Sequence, residues 1–310
     1  MSLSTDLILN LRAGGFHKDL GLSARIQRLA AGRARIWIPG GAEDLDRTCA
    51  EIAGHTPDRV ILCGGDGTLS TTVTALWGAY RPHPLPHLVF VPAGTVSTVA
   101  RQWVGRASAL ECVRSALGSA GARFVARPTL KITDGSGRTC LGFTVGTGLV
   151  ANFFDHYESL GAKGRGSATR TLIGVALGSL VSSPLARNIL APVRCQVLVD
   201  GVKLPESSFS LVVTSVLKNL GLSMRVTYRA GEDPGRLHAV ASSLGVRQLG
   251  PRVWRALLGL PLGGPGGFDD LVGTLSVKFP AEGFYVLDGD RFRSSEISVT
   301  MGPSLRVMAL

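Results

Sequence analysis

The chain is short of acids, of aromatics and of paired cysteines, and each shortage closes off a class of function. Across 310 residues there are 22 Asp and Glu against 33 Lys and Arg, a formal charge of +11. That imbalance favours anionic partners such as nucleotide phosphates or acidic lipids. Aromatic residues make up only 6%, and no compact basic block carries them interleaved, so nucleic acid is not an expected partner. The five cysteines, Cys49, Cys63, Cys112, Cys140 and Cys195, stand apart without C-x-x-C spacing. They read as reduced core residues of a cytosolic protein rather than as a disulfide framework. The longest apolar stretch, residues 171–181, falls well short of the roughly 20 residues that a membrane span requires. Residues 1–10 lack the basic-then-apolar pattern of a signal peptide. A soluble protein is expected, one that can still visit a membrane surface. No G-x-S-x-G elbow supports hydrolase chemistry. His83 and His87 lie in His-Pro-Leu-Pro-His, where proline bars the helix that would stack two metal ligands, so a loop is expected.

What is present is a folded composition, 45% hydrophobic and 18% charged, long enough for two domains. The first third alternates strand and helix patterns. Leu7-Ile8-Leu9, Arg35-Ile36-Trp37-Ile38, Val60-Ile61-Leu62-Cys63 and Leu88-Val89-Phe90-Val91 read as strands. Residues 17–30, the run through Leu45, Cys49 and Ile52, and the run through Leu69, Val73 and Leu76 read as helices. Such alternation implies a parallel sheet covered on both faces, with ligands at the carboxyl ends of its strands. Three strand-end turns carry glycine: Ala13-Gly14-Gly15, Gly64-Gly65-Asp66-Gly67-Thr68 and Pro92-Ala93-Gly94-Thr95. All three should emerge on one edge and build one composite site.

The second of these turns is the most specific. A strand, a glycine-rich turn and a helix N-terminus together make a phosphate cradle, because glycine lets the backbone approach and the free amides attract anionic oxygen. An aspartate cannot be there to attract phosphate. Asp66 is therefore expected to hold Mg²⁺, directly or through water, or to orient a nucleotide hydroxyl.

From about residue 123 short β-branched runs take over, joined in places by the turn pairs Asp134-Gly135 and Asp200-Gly201, as antiparallel hairpins require. Helical stretches interrupt them around residues 151–160 and 168–182. Residues 296–301 and 305–310 read as two more short strands, able to return to the first domain. The expected division is an α/β domain over residues 1–124 plus about 297–310, and a β-rich domain over 125–296. Residues 259–267 read as a glycine-rich loop. Arg247, Arg252 and Arg255, near Trp254 and Leu257-Leu258, fit either a basic membrane-docking face or an ordinary surface helix. Lys163 and Arg165 fit either a lipid headgroup contact or a solvated loop.

Over most of its length the chain resembles the diacylglycerol kinase and sphingosine kinase superfamily of lipid kinases. Gly64 to Thr68 matches the family's G-G-D-G-T without change. Asn10-Leu11-Arg12-Ala13-Gly14-Gly15 is similar to its opening N-P-x-x-G, with Leu11 in place of proline. Pro92-Ala93-Gly94-Thr95 is similar to its third nucleotide loop and leans toward the ceramide and sphingoid kinases. Residues 142–148 resemble the glycine-rich strand that opens the lipid domain. Asp288-Gly289-Asp290 stands where the family has a late D-G-E, and residues 225–240, centred on Asp233, resemble a segment with a metal-associated aspartate. Two further departures stand out. Leu69-Ser70-Thr71 replaces the usual L-N-E, and Gly94-Thr95-Val96-Ser97-Thr98 replaces G-T-x-N-D.

The resemblance implies a Rossmann-like nucleotide-binding domain and a sandwich-like antiparallel lipid domain, with the site in the cleft between them. It implies transfer of the γ-phosphoryl group of ATP, with Mg²⁺, to the primary hydroxyl of diacylglycerol, ceramide or a sphingoid base. Asn10, Gly14, Gly64, Gly65, Asp66, Gly67, Thr68, Gly94 and Thr95 would position the nucleotide. Asp288 would be the general base, with Asp290 as its acidic neighbour raising one pKa of the pair, and Asp233 a metal ligand. The plain alternative for Asp288-Gly289 is a hairpin turn. The implied partners are a lipid substrate and the anionic inner face of the cell membrane, with oligomeric state open and a homodimer one option. Two other functions compete. An NAD kinase shares the G-G-D-G-T turn but also carries a T-P-T-G-S-T-A-Y-like segment and an N-E pair, both missing here. A catalytically silent lipid or nucleotide binder would account for the lost N-E and N-D positions.

Overall fold

A computed structural model describes residues 4–118, 122–159, 184–221 and 223–310. Lys163, Arg165 and the helix expected at 168–182 lie outside the described residues. The chain divides into two units, Met1–Arg127 with Ser304–Leu310, and Pro128–Pro303.

The first unit alternates strand and helix: β1 (Thr5–Leu9), α1 (Gly14–Lys18), α2 (Leu22–Ala30), β2 (Arg35–Trp37), α3 (Ala42–His55), β3 (Arg59–Gly64), α4 (Asp66–Tyr80), β4 (His87–Pro92), α5 (Thr98–Val104), α6 (Ala109–Gly118) and β5 (Phe124–Arg127). The sheet order is β2-β1-β3-β4, then the C-terminal strand Leu305–Met308, then β5. The first four strands run parallel, and Leu305–Met308 is parallel to β4 and antiparallel to β5. Both faces are covered, which is why the central strands are apolar without alternation. Leu7, Leu9, Ile61, Cys63, Val89 and Val91 share a core with Ile26 of α2 and Cys112, Val113 and Ala116 of α6. Their neighbours Ile8, Val60, Leu62, Leu88 and Phe90 are equally buried. The single helix expected at 17–30 is broken after Lys18. There the Gly21 amide donates to Asp19 Oδ1 at 3.2 Å, a side-chain turn that competes with helix continuation.

The second unit is antiparallel. Its strands are β6 (Leu130–Asp134), β7 (Thr139–Gly142), β8 (Thr144–Gly148), β9 (Val193–Arg194), β10 (Gln196–Val199), β11 (Val202–Lys203), β12 (Ser208–Phe209), β13 (Leu211–Ser215), β14 (Leu237–Ser242), β15 (Gly267–Val272), β16 (Thr274–Leu287) and β17 (Asp290–Met301). The main path is β15-β14-β13-β8-β16-β17-β6-β7, with β10 and β11 branching from β16. The branch has a cause in β16 itself. Residues 275–278 pair with β10 and residues 286–287 with β8, on either side of a register shift between Lys278 and Gly283. A bulge of this kind lets one strand serve two neighbours. Residues 296–301 are not a separate strand returning to the first unit. They are the far half of β17, pairing with β6 and β16, with Ile297 and Val299 in this unit's core. Only Leu305–Met308 joins the first sheet. The turn pairs act as expected: Asp134-Gly135 lies between β6 and β7, and Asp200-Gly201 links β10 to β11.

Strand β8 ends at Gly148, where α7 (Leu149–Ser159) begins. Gly148 has φ +66°, and a Cβ there would lie 2.5 Å from the Ser210 carbonyl oxygen. The expected outcome for Gly148→Ala is a loss of about 1–3 kcal/mol of stability, read as a lowered urea midpoint with unchanged slope, since both strain and a backbone clash must be relieved.

Candidate active site

The order β1-β3-β4 sets the site. Because these three strands are neighbours, the turns that leave their carboxyl ends are neighbours too, at the point where strand order reverses on either side of β1. The turns are packed backbone to backbone. A Cβ on Gly94 would lie 2.3 Å from Gly65 Cα, one on Gly15 2.3 Å from the Ala93 carbonyl oxygen, and one on Gly14 2.2 Å from Thr95 Oγ1. At Gly15 and Gly94, where the opposing atoms are backbone, no other residue type fits. Hydrogen bonds tie the same elements together. The Gly15 amide donates to Ala93 O at 2.9 Å, and the Ala93 amide to Gly64 O at 3.0 Å. Asn10 Nδ2 donates to Thr68 Oγ1 at 2.8 Å. Thus Asn10, Gly14, Gly64, Gly65, Asp66, Gly67, Thr68, Gly94 and Thr95, all expected at one nucleotide site, lie in one cluster of turns.

Helix α4 starts inside this cluster. Its N-cap is Gly65, extended at φ −92°, and no side chain caps it. The first-turn amides of a 15-residue helix therefore open among glycines, a setting suited to phosphate oxygen.

Asp66, the first residue of α4, has taken a different partner from the one expected. Its Oδ2 accepts the Thr98 amide at 2.7 Å and its Oδ1 the Val99 amide at 2.9 Å. The carboxylate caps α5 from a distant segment and matches that helix's positive end. Part of the residue reaches solvent, but the carboxyl group is desolvated. Burial pushes it above the usual carboxylate range, against the pull of the Val99 and Thr98 amides. Ser97, which reasoning from sequence passed over, completes the loop. It is buried, adopts φ +54°, and its Oγ accepts the Gly94 amide at 2.9 Å. It occupies the Asn position of the family's G-T-x-N-D pattern, and the left-handed backbone explains that preference, since Asn tolerates it best. The signal was present in the motif comparison, read only as a lost polar group. Ser70 and Thr71, at the usual N-E positions, bond back onto their own helix: both hydroxyls donate to the Gly67 carbonyl, at 3.1 and 2.8 Å.

The acids of the second unit are placed as follows. Asp288 and Gly289, at φ +50° and +96°, form the two-residue turn between β16 and β17, the hairpin that the plain alternative foresaw. The Asp288 carboxylate accepts the Phe143 amide at 2.9 Å and the Thr144 amide at 2.8 Å. Gly142 makes room for it, as a Cβ there would lie 2.7 Å from Asp288 Oδ2. Asp200 repeats the arrangement. It has φ +49° before Gly201, and its Oδ1 accepts the Gly273 and Thr274 amides, both at 2.8 Å. The geometry of Asp288 is therefore a recurring structural device, and by itself says nothing of catalysis. Asp290 is exposed at the start of β17. Asp233 closes a local turn, its Oδ1 accepting the Gly235 amide at 2.8 Å. Among the described residues no three His, Cys, Asp or Glu gather to hold a metal ion.

Residues 6–123 match the family model of the diacylglycerol kinase catalytic domain. No curated protein matches the chain in sequence. Among solved structures, a protein described as a diacylglycerol kinase of Bacillus anthracis str. Sterne is 16% identical with a TM-score of 0.62, covering 98% of this chain and 96% of its own. Two others from the same organism, described as candidate diacylglycerol kinases, are 18% and 17% identical. Their TM-scores are 0.66 and 0.65, with 98% and 99% of this chain covered and 97% and 98% of theirs. At such identities the likeness is one of fold.

A cap and a metal ligand respond differently to substitution. Asp66→Ala is expected to cost about 0.5–2 kcal/mol in urea unfolding, and Asp66→Asn to recover only part of it, because Asn keeps one acceptor oxygen for two amides. No loss in Asp66→Ala would mean that the Thr98 and Val99 amides do not depend on this carboxylate.

Proposed function

We propose that this chain transfers the γ-phosphoryl group of ATP to a hydroxyl of a membrane lipid, a reading supported by the match of residues 6–123 to the diacylglycerol kinase catalytic domain model and by a fold like that of solved structures described as diacylglycerol kinases. The observation that carries this reading is the packing of three glycine turns around the uncapped start of α4. Phosphoryl transfer leaves little covalent chemistry to the protein and depends on positioning and charge stabilisation. The amides of Gly67 and Thr68 are suited to phosphate oxygens, and Thr95 and the Asn10-supported Thr68 hydroxyl can add side-chain donors. Asp66 acts as a positioning residue, fixing α5 and the third turn relative to the second.

Mg²⁺ would neutralise charge on the phosphates. Mg²⁺ sites commonly use only one or two carboxylates together with substrate phosphates, and Asp233 is the proposed protein ligand. Asp288 is the proposed acceptor of the hydroxyl proton, with Asp290 beside it in sequence. What supports it is its place at the family's late D-G-E. The lipid itself stays within the class of diacylglycerol, ceramide and sphingoid bases, met at the inner face of the cell membrane.

The test is incubation with labelled ATP, Mg²⁺ and mixed micelles of each lipid, with NAD⁺ in parallel. Label in a chloroform-soluble product is expected. Label on NAD⁺, or nucleotide binding without turnover, would overturn the reading. Asp200 supplies the control for Asp288. Asp288→Asn should lower kcat by about 10²–10⁴-fold, whereas Asp200→Asn, which disturbs the same kind of turn, should leave kcat within a factor of about two. Equal losses would reduce Asp288 to a structural residue.

A further inference from the structure

The segment 246–262 is apolar on two sides. It runs as a helical turn Val246–Leu249, a 3₁₀ turn Gly250–Arg252 and a helix Val253–Leu258 that Gly259 ends at φ +70°. Leu249, Ala256 and Leu262 point inward and join a core cluster with Val213 and Val240. A surface helix normally turns polar residues outward. Here Trp254, Leu257, Leu258 and Leu260 face out, at 52%, 43%, 61% and 39% exposure. Ten large hydrophobics are exposed among the described residues, and four of them fall within this one stretch. Such clustering marks a contact surface, where single exposed leucines would need no explanation.

The charges within the segment are of one sign. Arg247, Arg252 and Arg255 belong to the segment, and no Asp or Glu occurs between Asp233 and Asp269. Arg255 lies over the Trp254 ring at 5.5 Å, and its Nε donates to the Pro261 carbonyl at 2.6 Å. Arg252 donates to the Gln248 carbonyl. Arg255 is thus held against the apolar residues, and Arg252 is tied back to its own segment.

We propose that this face docks the protein on an anionic lipid bilayer, with Trp254, Leu257, Leu258 and Leu260 entering the headgroup boundary and the three arginines meeting lipid phosphates. The inference rests on the lipid-kinase reading for its purpose, since a kinase of membrane lipids must reach them. Its chemistry stands separately, in an apolar face rimmed with arginine and a tryptophan suited to the interface. Charge argues against a second copy as the occupant. A two-fold contact would set the same arginines against each other with no acid within the segment to offset them. A fluid bilayer also accepts projecting side chains without a matching groove.

The experiment is co-sedimentation with vesicles of phosphatidylcholine alone and of phosphatidylcholine with phosphatidylglycerol. Binding to the second kind only is expected, weakening with salt. Trp254→Ser/Leu258→Ser should lower that binding by about tenfold or more, with its thermal midpoint close to that of the unsubstituted protein. Brominated acyl chains should quench tryptophan emission on binding, and the conservative Trp254→Phe should remove the quenching, a readout independent of any folding defect. Phosphorylation of a short-chain, monomeric lipid should be equal in all variants. Its absence throughout would sink the kinase reading while the vesicle result still judges the docking face. Unchanged vesicle binding in the double variant would overturn the proposal. So would a concentration-dependent dimer that the same substitutions abolish, which would give the face to a second copy.

Discussion

The close approach of three turns governs the first unit. Gly94 stands so near Gly65 that it tolerates no side chain, and the Asp66 carboxylate spans the same junction to hold the amides that begin α5. Remove that contact and the start of α4 no longer has a wall opposite it. The open helix terminus is useful only because the third turn is held in place beside it. Preorganised donors cost nothing to arrange at the moment of reaction, which is where electrostatic catalysis gains most.

Asp66 shows how a motif can be read correctly in place and differently in role. An acid inside a phosphate cradle suggests a metal ligand, and the sequence offers no means of seeing that the helix it serves begins thirty-odd residues later. The cap is a tertiary interaction, so local pattern could not have found it. The loss of N-E and N-D weighs less than the sequence suggested. Ser97 keeps the left-handed turn, and the hydroxyls of Ser70 and Thr71 are satisfied within α4. Those changes leave the cradle's backbone intact.

Much of the fold was legible because burial on both faces leaves unbroken apolar runs. Val60 to Cys63 and Leu88 to Val91 could be little else than central parallel strands. Boundaries that depended on a side chain folding back were not. Asp19 ended a helix that apolar spacing would have carried on from residue 17, and the bulge in β16 made one strand serve two neighbours. The end of the chain misled for a related reason: Ile297 and Val299 have a strand's alternation, but alternation does not say which sheet receives it. Among the acids, Asp288 and Asp200 look alike in sequence and in geometry, so only the family pattern separates them. The exposed face at 254–260 was visible as a basic, apolar stretch. Whether it was an ordinary helix turned on what its outward side presents, which needs coordinates.

The central claim is that the triphosphate is gripped by the first turn of α4, where the turns after β1, β3 and β4 meet. A crystal structure with a non-hydrolysable ATP analogue tests it most directly. The account predicts phosphate oxygens within hydrogen-bond distance of the Gly67 and Thr68 amides, with the Thr98 and Val99 amides still on Asp66. Phosphates bound elsewhere, or Asp66 turned from α5 to face the nucleotide, would contradict it.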